Sequence, residues 1–386
     1  MEIAKQWSTN TLMIYLLLAS LISILFALAI RSKNKHKTFK IYKLNIETKY
    51  IYYTIIYSIL IIFLVFRYIG NEVGGADTYN YMGFFDGFTY IKFDIKDIIS
   101  LSGYEYLFYN FMCLVKFFGG NFTIFEFFIY SFMIIAYIFI VDKFINDERE
   151  CLMIILSFIP ILRSLNIIRN IYATFIGYIA LYFLSQKKYI KYLLFCIIAF
   201  LNHYIAIILI IYGIFDKIIS KIINSKKKLL IFSGSIFLLS MVMIPIVQLM
   251  LNHTGFSRYI NSTEISLYGY IPIIIFYVML MLNDNLVEDI KKHNHEILYK
   301  TYIFQVIVLP VFLIINGAGR MLLFFELLRY ILYADIYMFY RKKIPKKYTI
   351  IYDVTAVTVC LLWLAFRIWR MWDGYCLMPY YNILFM

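Results

Sequence analysis

A few ionisable side chains stand out of an otherwise apolar sequence, and their types suit the chemistry of an oxyanion and a sugar hydroxyl. Arg163 and Arg169 lie six residues apart, Arg320 ends the run Asn316-Gly317-Ala318-Gly319-Arg320, and Arg67 follows an apolar block. Arginine offers a planar fork of donors that grips phosphate or carboxylate in a bidentate way, whereas lysine acts as a hydrated point charge. Asp77 sits in Gly74-Gly75-Ala76-Asp77-Thr78-Tyr79-Asn80-Tyr81. Glycines allow tight turns there, and a carboxylate beside aromatics such as Tyr79 can hydrogen-bond sugar hydroxyls and stack on their apolar faces. Two roles are open for Asp77: a general base for a hydroxyl, or a solvated carboxylate in an Asx-type turn. His203, in Phe200-Leu201-Asn202-His203-Tyr204, is either a structural hydrogen-bonder or, at a helix break, a base or a donor to phosphate. Glu105 opens a short amphipathic segment, where it contacts glycan or simply favours a helix N-terminus.

The elements that must position these groups are membrane helices. Of 386 residues, 63% are apolar and 16% charged, against about 45–50% and about 25% in soluble domains. The apolar residues form blocks long enough to span a hydrocarbon core of about 30 Å. The predicted fold class is all-α, a polytopic integral membrane protein, with residues 1–386 as a single integral membrane domain. The first block, Thr11 to Ile30, is an anchor rather than a cleaved signal, because it is too long for an h-region and a basic stretch follows it. Alternation then predicts crossings at Tyr50–Phe66, Phe122–Val141, Cys151–Ile168, Ile171–Ser185, Leu229–Leu251, Tyr270–Leu282, Tyr302–Ile315, Met321–Tyr340 and Tyr348–Arg367, about ten transmembrane helices in all. Residues 67–121 form an outer-face loop with an interfacial helix at Tyr104–Phe118. Tyr192–Phe215 lies between two lysine-rich stretches and is read either as a crossing or as a re-entrant hairpin with Asn202-His203 at its tip.

The net charge of +14 is first a topology signal, with no indication of nucleic-acid binding. Lysine dominates the loops assigned to the cytoplasm. The remaining basic residues are Lys5, Arg67, Lys92, Lys96, Lys116, Arg163, Arg169, Arg258, Arg320, Arg329, Arg367 and Arg370, and eight of these twelve are arginine. Topology is indifferent to which residue supplies the charge, so the split predicts an oxyanion held in the outer half. Snorkelling from helix ends is the competing explanation for Arg67, Arg367 and Arg370. Five scattered cysteines form no paired motif, and no His-Glu-x-x-His or P-loop pattern is present, so no metal and no cofactor are expected.

In this order, the motifs resemble the EpsG family of bacterial membrane proteins, grouped with Wzy-type polysaccharide polymerases. The matching pieces are Phe66-Arg67, Gly75-Ala76-Asp77-Thr78-Tyr79, Tyr104-Glu105-Tyr106, Lys116-Phe117-Phe118-Gly119-Gly120-Asn121-Phe122, Asn166-Ile167-Ile168-Arg169-Asn170, Lys188-Tyr189-Ile190-Lys191-Tyr192, Leu201-Asn202-His203 and Met378-Pro379-Tyr380-Tyr381. Asn170 replaces the family's usual glutamine, Asn202 its common phenylalanine, and Asn71-Glu72-Val73-Gly74 lengthens the gap from Arg67 to Asp77. The resemblance implies a GT-C-like glycosyltransferase in the bacterial cytoplasmic (inner) membrane, multi-pass, with its active site facing outward. It would join undecaprenyl-diphosphate-linked oligosaccharide repeat units, donor to acceptor, among membrane lipids, with a chain-length regulator as a further candidate partner. The product would be O-antigen, capsule or exopolysaccharide. On this reading Arg163, Arg169, Arg320 and Arg67 hold the diphosphate, His203 or Asp77 is the base, and Glu105, Tyr79 and Asn170 meet the glycan in an inverting, metal-independent transfer. A flippase or transporter of the same lipid-linked sugar is the alternative. Such a protein more often shows paired repeats and charge reachable from both sides.

Overall fold

The first apolar block lies within helix α1 (Thr9–Asn34), which begins where the Ser8 hydroxyl accepts the Thr11 N–H at 3.2 Å and ends with Arg31 and Lys33 in its last turn. That order suits the helix dipole, with its negative end toward the cations. The computed structural model describes residues 7–41, 44–87, 105–222, 225, 227–236, 238–239, 271–293, 295–314 and 318–384. A short antiparallel hairpin, β1 (Thr38–Ile41) and β2 (Leu44–Glu47), follows α1 and leads into α2 (Thr48–Val65). The helices continue as α3 (Ala76–Gly87), α4 (Tyr106–Phe117), α5 (Phe122–Phe144), α6 (Phe158–Ser164), α7 (Ile168–Ser185), α8 (Tyr189–Asn202) and α9 (Ile207–Ile222). Then come α10 (Ile271–Leu282), α11 (Asp284–Lys292), α12 (Glu296–Ile314), α13 (Glu326–Arg341) and α14 (Thr349–Met371).

Among the described residues the fold is all-α apart from that hairpin, but the expectation of about ten transmembrane helices in a GT-C-like arrangement is overturned. Among the described residues four helical segments are long and apolar enough to cross a membrane: α1, α2, α5 and Lys346–Met371. A fifth is reached if α10 and α11, bent by 95° between them, count as one. The physical reason is that several apolar blocks are not single helices. Residues Glu150–Ser157 wind as a 3-10 helix before α6, and Ala318–Phe325 do the same before α13, which itself carries Glu326, Arg329 and Asp335. Helix α7 is diluted by Arg169, Asn170 and three tyrosines. Most of the predicted crossing Leu229–Leu251 lies outside the described residues, as does 88–104 of the outer loop.

Around His203 the chain folds back. Helices α8 and α9 meet at that residue, and a Cβ on Gly213 would come within 2.8 Å of the Tyr192 ring. The two positions are almost equidistant from the break, so the helices run antiparallel, and the Tyr192 hydroxyl donates to the Leu209 carbonyl. At 14 residues α8 is about 21 Å long, short of a crossing of about 30 Å.

Breaks leave backbone carbonyls without helical partners, and in a low-dielectric interior each needs a donor. Buried tyrosines supply them. Tyr130 donates to Ser164 O at 2.9 Å, Tyr178 to Leu323 O at 2.6 Å and, in the C-terminal tail, Tyr15 to Leu377 O at 2.5 Å. The outward faces stay apolar: Leu17 and Ile24 of α1, and Ile350, Val354 and Leu362 of α14, are exposed. With four to five apolar spans among the described residues, this is a membrane-associated, multi-pass protein.

Candidate functional site

Two glycines set the loop that carries Asp77. Gly74 and Gly75 have φ of +82° and +109°, and a Cβ on Gly75 would lie 1.9 Å from the Leu165 carbonyl oxygen. Only glycine permits that approach in that conformation. The loop thereby docks on the break between α6 and α7. The Asp77 N–H donates to Asn166 Oδ1 at 2.7 Å, and the Thr78 hydroxyl donates to Leu165 O at 2.7 Å. Asp77 stands in the first turn of α3, where a carboxylate is favoured by the dipole. On its other side the loop is braced by the C-terminal tail. The N–H groups of Gly74, Tyr68 and Ile383 donate to Cys376 O (3.0 Å), Tyr381 O (2.9 Å) and Phe66 O (2.8 Å), and Tyr380 stacks on Phe63 with centroids 4.8 Å apart.

A cavity of about 450 Å³ opens beside this loop, lined by Asp77, Asn80, Tyr81 and Phe84 of α3, Glu105, Phe108, Tyr109 and Met112 around α4, Arg169 of α7, and Arg320. Its size falls within the about 300–1,000 Å³ of small-molecule clefts. Glu105 is the hub. One carboxylate oxygen pairs with Arg169 Nη1 at 2.5 Å, and the other lies 2.7 Å from His203 Nδ1. Arg169 also lies over the Tyr81 ring, 5.5 Å from its centroid. Burial first, and then the Arg169 and Arg320 charges, push the His203 imidazole below its ordinary range against the pull of Glu105. It is therefore neutral near pH 7, with its Nδ1–H donating to Glu105. The helix break at His203 is what lets the ring leave the α8–α9 hairpin and reach Glu105.

The structure thus brings Asp77, Glu105, Arg169 and Arg320 to one cavity, with His203 one contact behind. Tyr79 is exposed and does not line the cavity. Asn170 is buried beside Arg169, its Nδ2 without a partner and its carbonyl accepting the Thr174 hydroxyl at 2.9 Å. Arg67 and Arg163 lie elsewhere. Arg67, with its side chain 1% exposed, pairs with Glu126 at 2.9 Å and donates to Gly74 O at 3.0 Å, tying α2, α5 and the Asp77 loop together. Arg163 pairs with Glu326, which also lies 3.2 Å from Arg329 and accepts the Tyr330 hydroxyl at 2.8 Å. Sequence reasoning missed both glutamates as partners. Their signal was present: each is a lone carboxylate in an apolar block, which needs a partner to be tolerated there. It also missed Asn166, whose side chain seats Asp77. Among the described residues no three His, Cys, Asp or Glu side chains converge as a metal-ligand set.

No curated protein and no solved structure matched the chain on comparison. The model of the EpsG family matches residues 50–382, a span that includes the docked loop, the cavity and the bracing tail. That match supports a polysaccharide-polymerase type of function in general. With the match covering most of its length, the chain belongs to the EpsG family.

Proposed function

We propose that this protein polymerises undecaprenyl-diphosphate-linked oligosaccharide repeat units by glycosyl transfer on the outer face of the cytoplasmic membrane. The observation that carries this reading is the joining of two arginines, Arg169 and Arg320, to two carboxylates, Asp77 and Glu105, around one aromatic-walled cavity. The acceptor hydroxyl oxygen attacks the anomeric carbon of the donor sugar. The bond from that carbon to the diphosphate breaks, and the lipid diphosphate leaves with the electron pair. Attack from the face opposite the leaving group inverts the anomeric centre.

Asp77 takes the hydroxyl proton, because it lines the cavity and its backbone is fixed by Asn166. Charge developing on the leaving diphosphate meets the Arg169 and Arg320 guanidinium groups, which preorganised sites use to stabilise transition states. His203 acts one step back: it orients the Glu105 carboxylate, which in turn fixes Arg169 over Tyr81. Tyr81, Phe84, Phe108 and Tyr109 offer faces for sugar rings.

The test is polymer length in cells that lack the gene. Wild type should restore a ladder, and Asp77→Asn should accumulate single lipid-linked repeat units at equal membrane abundance. A normal ladder from Asp77→Asn, or from both Arg169→Gln and Arg320→Gln, overturns the proposal.

A further inference from the structure

Apart from the cavity lining, two guanidinium groups pair with one buried carboxylate and a third lies near it. Glu326 opens α13, Arg163 at the end of α6 pairs with its Oε2, and Arg329 Nη2 lies 3.2 Å from its Oε1 while Nη1 donates to Gln305 Oε1 at 3.1 Å. Arg367 reaches the same group from α14, close enough to interact electrostatically with Arg163, Arg329 and Glu326, and its buried Nε has no hydrogen-bond partner. Among the described residues the other buried arginine is balanced, Arg67 by Glu126. In the cavity the half-buried Arg169 and the exposed Arg320 face Asp77 and Glu105. The Glu326 cluster alone carries a surplus of two positive charges in a poorly solvated place, where uncompensated charge is costly.

We propose that Arg163, Arg329 and Arg367 form a second oxyanion site, which takes the diphosphate of one lipid-linked substrate while the cavity takes the other. Two linked phosphates match the surplus in charge, and the planar guanidinium forks match their geometry. The lipid-borne form is favoured by the way Arg367 enters. It projects from the candidate span with the smallest buried share, 11%, whose Val359, Leu362 and Trp369 are exposed, so a polyprenyl tail lying along α14 would bring its headgroup to Arg367. The two sites are mechanically joined: Arg163 lies in the last turn of α6, and the residues that follow the helix, Leu165 and Asn166, seat Thr78 and Asp77. This inference rests on the polymerase reading, which requires two diphosphate-bearing chains at once.

The test uses the full chain in lipid nanodiscs, titrated with undecaprenyl diphosphate and separately with inorganic pyrophosphate, with bound lipid counted by native mass spectrometry. Wild type should hold two lipid diphosphates, Arg367→Gln one, Arg320→Gln one and the double variant none, while Arg370→Gln should hold two. Arg367→Gln relieves like-charge repulsion, so its ligand-free melting temperature should not fall, while the rise on adding undecaprenyl diphosphate should shrink. Two lipids on Arg367→Gln with affinity within twofold of wild type, or a lowered ligand-free melting temperature with undiminished binding, overturns the second site. One lipid on wild type that Arg367→Gln retains overturns the second site and leaves the polymerase reading standing. No lipid binding by wild type overturns both, and pyrophosphate binding without lipid binding overturns the lipid assignment.

Discussion

Gly75→Ala and Gly83→Ala make the same chemical change eight residues apart and should have opposite outcomes. At Gly75 the new Cβ would sit 1.9 Å from the Leu165 carbonyl oxygen at φ of +109°, and the three nearest atoms it meets all belong to backbone. Ordinary contact starts at 3.4 Å, so the loop must retreat by about 1.5 Å. Strained backbone costs about 1–3 kcal/mol. Retreat also gives up the Asp77 N–H to Asn166 and Thr78 to Leu165 bonds, at about 0.5–1.5 kcal/mol each. The cheapest response is local undocking, which displaces Asp77 while the helices remain packed. Misplacing a reacting group by 1 Å can cost about 100-fold in rate, so turnover should fall at least that far with the protein still in the membrane. Gly83 lies within α3, exposed, with nothing near its added Cβ. Alanine there should leave turnover unchanged and stabilise the helix by about 0.8–1 kcal/mol. The assay is polymer formed per minute in proteoliposomes, with melting temperature measured on the same preparations. Gly75→Ala turnover within threefold of wild type would refute the docking of Asp77 on the Leu165–Asn166 break.

Glu126→Gln strands the buried Arg67 guanidinium and should destabilise the protein by about 3–5 kcal/mol, read as a marked fall in melting temperature; an unchanged value would mean that the pair is not buried as observed. Deleting residues from Cys376 onward removes the brace on Gly74 and Tyr68, so polymerisation should collapse with most helical signal in circular dichroism retained. Equal activity in the truncated chain would show that the loop holds itself. Glu150, which is raised from 4.5 to about 7 chiefly by burial, binds its proton more tightly in the folded state. Stability should therefore fall as pH rises from about 4.5 to about 7 and level off above it, and Glu150→Gln should flatten that slope. A slope that survives the substitution would assign the titration to another group.

Ionisable residues are rare in so apolar a chain, which is why Asp77, Glu105, Arg169 and Arg320 are legible in the sequence as candidates, and they do meet at one cavity. How the arginines divide is not legible there. Glu126 and Glu326 lie 59 and 163 residues from Arg67 and Arg163, and spacing carries no information over such distances. Crossings are overcounted because an apolar block reads the same whether it faces lipid or protein. The 3-10 segment Glu150–Ser157 is apolar because it is packed by α1, α13 and α14. Tyrosine, counted simply as apolar, proves to be the donor that satisfies carbonyls at helix breaks. The tail Met378-Pro379-Tyr380-Tyr381 is visible as a motif, while its work as a brace on the Asp77 loop depends on contacts more than 300 residues apart.

The most direct measurement of the central claim is lipid product released by purified protein in proteoliposomes supplied with undecaprenyl-diphosphate-linked single repeat units. Wild type should lengthen the glycan and release one undecaprenyl diphosphate for each linkage formed, and folded Asp77→Asn should do neither at a measurable rate. Single repeat units left unchanged by wild type, or converted equally fast by Asp77→Asn, would contradict the account.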